Sequence, residues 1–478
     1  VRLIVENRFA LFGLVVVALA ALFGVAFLTG AFGLGRTDAA TAEPARVESA
    51  LRVCPAPQGE DRLTRVAAFA PESDEGESGG SLVAEENAAD AEPLGELSEA
   101  GRLWSEEGGA GGGTVVRATG ALAAGLEVAQ VTVGEDGSYA TELRCTQPSL
   151  STWFAAPGGA ELDELTLNLT NVDDTPATVN VDLYATDGPA YSDETRGITV
   201  DPHDTVELSL NPLIESTEAV AVHVRTNSGR VAPALFAERS GSGSDWVPPT
   251  SPPAKRHVIP GVPSGNGAKR LIVAAPGNDP ATASVRVITP EGDAEHEALD
   301  GLDIPPAASA ALSLEGPLDK EPGTVVVESE RPIVVGLALD RAGGDDTAYT
   351  AAVPPLEKGV NSRAVLPANP EGTATELLLG APGDAASVRV TPVLADGTAG
   401  EVLEVEVEAG RTARAEPESP GAAHAWIVET SGPGPVHAAR VLTDGSGDDR
   451  ATAVRPLPPA PAVVPLPPVS DSLTSVVR

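Results

Sequence analysis

The chain has 478 residues, with 31 Lys plus Arg against 69 Asp plus Glu and a formal net charge of −38. That balance leaves no large basic face and excludes a broad nucleic-acid footprint. The length predicts about three or four domains, and 3% aromatics with 50 Gly and 43 Pro predict many short strands and turns.

Residues 1–8 read as a short cytoplasmic N-terminus. There is no Met in the chain, so Val1 reads as a GUG start translated literally, or the true start lies upstream. The basic residues are 27 Arg against four Lys, which reads as the codon supply of a GC-rich genome.

Residues 9–32 carry no charge, and about 20 apolar residues suffice for a helix to cross a bilayer. Arg2 and Arg8 precede the run, so the positive-inside rule predicts a single-pass anchor with residues 33–478 extracytoplasmic. The competing reading is a secreted chain, cleaved near Ala42 after a signal peptide.

Residues 33–50 read as a linker. Cys54 and Cys145 both follow the apolar run, where the compartment favours oxidation, and they are expected to form a disulfide. The spacing fits neither a CxxC redox motif nor a zinc site.

The most informative feature is internal repetition. Similar openings recur at 52–71, 152–171, 257–277 and 364–383, spaced by about 100–106 residues, and a truncated copy ends the chain at 463–478. Alternation such as Val179, Val181 and Leu183 predicts half-buried strands. About seven strands per repeat predict a two-layer sandwich.

The expected fold is therefore all-β. Tandem Ig-like β-sandwiches follow one N-terminal transmembrane helix, at 51–150, 151–250, 256–358 and 362–458, with a Pro-rich tail at 459–478. The alternative is a β-propeller in which each repeat holds two blades.

The first repeat reads as irregular. Residues 72–113 are acidic and Gly-rich with little apolar periodicity, which predicts a disordered insertion. Trp153, eight residues after Cys145, is placed either against the disulfide or in an ordinary core.

The segments TWFAAPGG (152–159), LTLNLTN (165–171), AVAVHVRT (219–226) and ALFAERS (234–240) resemble an Ig-like surface-protein repeat of actinobacteria. With the anchor and the Cys-Pro segment, the chain is similar to an actinobacterial envelope family described as a domain of unknown function. The resemblance spans roughly 45–478 and is strongest at 150–241. It implies an anchored, extracytoplasmic β-sandwich array with no assigned reaction. The later repeats depart from it: 257–260 and 364–367 lack the Trp, and Leu339-Asp340-Arg341 replaces Ala-Glu-Arg.

A search for chemistry finds no HExxH, GxSxG elbow, P-loop or strand-linked GxGxxG. Four Trp and four Tyr make an aromatic-walled glycosidase cleft a poor reading. Gly/Asp loops recur after the last strand of each repeat. Asp345 and Asp346, and Asp448 and Asp449, are the candidate calcium ligands, although the loops lack the EF-hand Glu.

No cofactor is implied. The sequence thus predicts a non-enzymatic, membrane-anchored structural or interaction protein of the cell envelope. Its partner would be another envelope protein or a wall polymer, and not nucleic acid. A calcium-dependent adhesion or sensory ectodomain is the alternative, and a secreted hydrolase the remote one.

Overall fold

The structure is a computed structural model. It describes residues 8–31 and 43–466, except 59–61, 73–78, 109–110, 135–136, 216–217, 240, 242, 300, 342–345, 360, 446–449 and 461. The chain divides into two compact units, Val1–Ala45 with Val463–Arg478, and Arg46–Ala462.

The first unit contains helix α1, Arg8–Ala31. Its described side chains, residues 12–24, include the exposed Phe12, Leu14, Leu19 and Phe23. Among the described residues no helix is long and apolar enough to cross a membrane. Strand Glu43–Arg46 pairs with Val463–Leu466 in a two-stranded sheet. The expected repeat fragment at 463–478 therefore adds no strand to the preceding repeat within its described part, and residues 467–478 lie outside the described residues.

The second unit is nearly all strand. Each of its four repeats runs through eight principal strands, sorted into two sheets. In the fourth repeat the first sheet has the order Arg363–Leu366, His424–Thr430, Ala386–Leu394, Leu403–Val407. The second has the order Arg411–Ala415, Ala374–Ala381, His437–Asp444, Ala451–Leu457. Strands one, six, three and four thus form one sheet, and five, two, seven and eight the other. All neighbouring strands are antiparallel. In the third repeat, strands six and seven fuse into Gly323–Asp340, which belongs to both sheets.

The two sheets of a repeat share a core, as alternation predicts. In the second repeat Phe154, Val179, Val181 and Val222 face Leu165, Leu167, Leu169 and Leu235.

The outer faces of these sandwiches are apolar as well, and that decides how the repeats assemble. Val53 and Val115 of the first repeat pack on Val172 and Ala232 of the second. Trp153 and Ala221 of the second pack on Ala274 and Val334 of the third. The Thr412 hydroxyl of the fourth donates to the Ile288 carbonyl of the third at 2.7 Å. Phe69 of the first packs on Val365 and Ala425 of the fourth, which closes the circle.

Eight sheets therefore stack face to face in a ring. The eighth strands lie innermost, and each adjoins the next. They are Ala140–Arg144, Gly243–Val247, Thr347–Ala351 and Ala451–Leu457. Burial follows this order: every residue of Thr347–Ala351 is buried, whereas Pro93–Leu97 and Leu403–Val407 on the outside are largely exposed.

Each repeat is thus an all-β sandwich, as expected, and only the arrangement is corrected: the four sandwiches close on one another in a ring instead of standing in series. A sandwich standing alone carries polar outer faces, and these do not. The ring shares the radial arrangement of the propeller alternative, but each sheet takes its strands out of chain order, one-six-three-four and five-two-seven-eight, as a sandwich does.

The expected disordered insertion at 72–113 is also corrected over its described residues; 73–78 and 109–110 lie outside them. Gly80–Glu86, Pro93–Leu97 and Leu103–Glu107 are ordinary strands of the first repeat. Leu82, Ala84 and Trp104 point into the core. Glu85, Glu96 and Glu107 lie on outward faces, where Glu85 pairs with Arg117 and Glu107 with Arg65.

Candidate functional site

Charges inside a core cost several kcal/mol each unless they are paired, so buried ion pairs mark where this ring spends polar groups. They concentrate on the seam between the first and last repeats. Glu142, on the innermost strand of the first repeat, is fully buried. Its Oε1 accepts from Nη1 of Arg440 at 3.2 Å and from Nη1 of Arg455 at 3.1 Å. Both arginines belong to the fourth repeat and are 0% and 3% exposed.

Beside them Glu127 accepts from Nε of Arg144 at 2.6 Å and lies 3.7 Å from both Arg52 and Arg455. Burial works against the ionised Glu127, but the Arg144 and Arg52 guanidiniums outweigh it and hold its carboxyl below the usual range. Burial likewise pulls Arg440 below its ordinary value.

One strand along the axis, Asp245 is 0% exposed. Burial, with the Asp346 and Glu142 carboxylates nearby, pushes its carboxyl well above the usual range. Its Oδ1 accepts from the backbone N–H of Trp246 at 2.8 Å.

The seam network borders a cavity of about 190 Å³ on the ring axis, walled by the ends of the innermost strands and the Pro-rich connectors after them. Each repeat contributes, through Glu142, Trp246, Pro248, Val353, Arg455 and Pro458 among others. Glu142 Oε2 and Arg455 Nε have no hydrogen-bond partner among the described residues.

A second, larger groove of about 660 Å³ opens between the third and fourth repeats. His424, Asn369, Trp426 and Lys269 are among its lining residues.

Cys54 and Cys145 form a disulfide across a separation of 91 residues. It is wholly buried and shares its core with Trp104. Trp153 lies elsewhere, stacked on His223 at 3.8 Å between ring centroids, so it takes the ordinary-core placement.

Of the four candidate calcium residues, Asp345, Asp448 and Asp449 lie outside the described residues. Asp346 is buried, and its Oδ2 accepts the Thr452 backbone N–H at 2.8 Å, across the third and fourth repeats. Among the described residues no group of three His, Cys, Asp or Glu could hold a metal ion.

Sequence reasoning passed over Glu142, Arg440 and Arg455. Their signal is a charge inside an otherwise small and apolar inner strand, as in HAARVL or TAVRPL.

No curated protein matches the chain. Thermotoga maritima 1070, of known structure, is 20% identical over 21% of this chain and 92% of its own, with a TM-score of 0.17. An anti-sigma factor domain-containing protein from Clostridium clariflavum is 8% identical over 81% of this chain and 100% of its own, with a TM-score of 0.12. At those scores neither likeness carries an argument. The model of the family of unknown function DUF5719 matches residues 105–418. That span takes in the second and third repeats whole, with parts of the first and fourth, and the chain belongs to the DUF5719 family.

Proposed function

We propose that this chain is a non-enzymatic, membrane-anchored interaction protein whose β ring stands on the extracytoplasmic side of a bacterial envelope. The observation that carries the reading is the use of the buried ionisable groups. Glu127, Glu142, Arg440 and Arg455 bond one another across the seam, so the densest charge cluster holds the ring closed. Such a ring is a rigid platform, and its end loops and grooves are free to meet another envelope protein or a wall polymer.

Two features support the location. Residues 9–32 are uncharged over a bilayer's length, and the buried Cys54–Cys145 disulfide suits an oxidising compartment. The repeats are read with this as Ig-like modules, and the Arg-rich, Lys-poor composition suits an actinobacterial host.

Fractionation of cells making the full chain tests the reading. The chain is expected in the membrane pellet after an alkaline wash, with the ring open to protease added to spheroplasts. Recovery from the cytosol, with Cys54 and Cys145 alkylated before any reductant is added, would sink it. A form in the medium beginning near residue 43 would keep the compartment and remove the anchor.

A further inference from the structure

The groove between the third and fourth repeats contains two buried acceptors that have no hydrogen-bond partner among the described residues. His424 is 3% exposed. Its Nδ1 lies 2.7 Å from the Ala422 carbonyl oxygen. A carbonyl only accepts, so the proton sits on Nδ1 and Nε2 carries a lone pair. Burial pulls the imidazole below its ordinary pKa, which keeps it neutral. No group among the described residues donates to Nε2.

Asn369 is oriented just as firmly. Its Nδ2 donates to the carbonyls of Leu366 at 3.1 Å and His424 at 2.8 Å, which uses both N–H groups. Its Oδ1 has no partner among the described residues. The two residues are thus tied together, line the same groove, and present only acceptors. A complementary ligand brings donors.

The charge around them selects further. Five acidic and four basic side chains line the groove, and Arg414 is already held by Glu376 and Glu416. Charges so evenly matched give no preference for an ion. Donors lie within the same walls: Lys269 Nζ spends one N–H on the Gly265 carbonyl at 2.6 Å, which leaves two. Acceptors and donors interleaved in this way suit hydroxyl groups, which donate and accept at one atom. Trp426, set edge-on to His424, and Leu339 add apolar wall. The volume, about 660 Å³, falls in the range of small-molecule sites.

We propose that this groove is a binding site for a neutral, hydroxyl-rich ligand, an oligosaccharide whose hydroxyls donate to His424 Nε2 and Asn369 Oδ1. The site depends on the ring alone and stands whether or not the chain is membrane-anchored.

The test is isothermal titration of the full chain, in a detergent without a sugar headgroup, with linear pentaoses of glucose, mannose, galactose, arabinose and N-acetylglucosamine. At least one is expected to bind with a millimolar or lower Kd. His424→Phe removes the acceptor and keeps a ring, and it is expected to weaken that binding at least tenfold. His424→Gln, whose amide oxygen reaches the same place, should lose less than threefold. Thermal melting of both variants at or above the wild-type temperature shows that the loss is not unfolding. Absence of binding by all five sugars at 10 mM would overturn the proposal. So would unchanged affinity in His424→Phe, or preferential binding of a sulfated oligosaccharide.

Discussion

Glu142→Gln strikes the seam at its centre while preserving shape. In the native ring one carboxylate oxygen accepts from both Arg440 and Arg455, at 3.2 and 3.1 Å. At an effective dielectric constant of about 20, each pair at such a distance is worth roughly 5 kcal/mol of Coulomb attraction, set against desolvation of all three groups. The substitution removes the attraction and leaves the two arginines charged and desolvated. Arg455 keeps Glu127 at 3.7 Å, but Arg440 keeps only the neutral Ala368 carbonyl. One guanidinium, 0% exposed, is then uncompensated, which costs about 3–5 kcal/mol.

Urea unfolding followed by circular dichroism reads this as a lower midpoint. The triple variant Glu142→Leu, Arg440→Met, Arg455→Met removes every charge in the trio, and it should recover most of the loss. The reasoning fails if Glu142→Gln lies within about 1 kcal/mol of wild type. It also fails if the triple variant is as unstable as the single one.

Two further predictions rest on other buried groups. Replacing Cys54 and Cys145 by Ala frees a 91-residue separation and should cost roughly 4–5 kcal/mol by chain entropy, seen as an equal midpoint drop when the wild type is reduced. His437 is 5% exposed, with Nδ1 at 3.0 Å from the Val353 carbonyl. Burial pulls its pKa down from 6.5 to about 4. The unfolded chain therefore takes up this proton first as pH falls, so the stability present above pH 6.5 is lost progressively towards pH 4. The loss is on the order of 3 kcal/mol, and His437→Gln should flatten that part of the stability–pH curve.

The strands and repeats were legible because alternation such as Val179-x-Val181-x-Leu183 reports one buried face directly. The ring was not, because closure buries the second face as well, and in the inner strands small residues fill it. Thr347–Ala351 reads TAYTA, which has no strong apolar pattern, yet all of it is buried. Gly336 shows why: an added Cβ would lie 2.8 Å from the Ala155 Cβ of the next sheet. Sheets that approach so closely use Ala and Gly where a larger core would use aromatics.

The acidic stretch 72–113 misled for the opposite reason. Outer strands bury one face only, so Glu85, Glu96 and Glu107 can accumulate on the other while Leu82 and Trp104 hold the fold. Of the polar sites, the cysteines were readable from compartment and number. Glu142 and Arg440 are 298 residues apart, and only the closed ring brings them together.

Small-angle X-ray scattering from residues 46–462 tests closure most directly. A compact unit of that length has a radius of gyration of about 22 Å, and the closed ring predicts a value near it. Four sandwiches in a row, each of about 13 Å and set about 35–40 Å apart, would give about 40 Å or more. A value near the larger figure would contradict the ring.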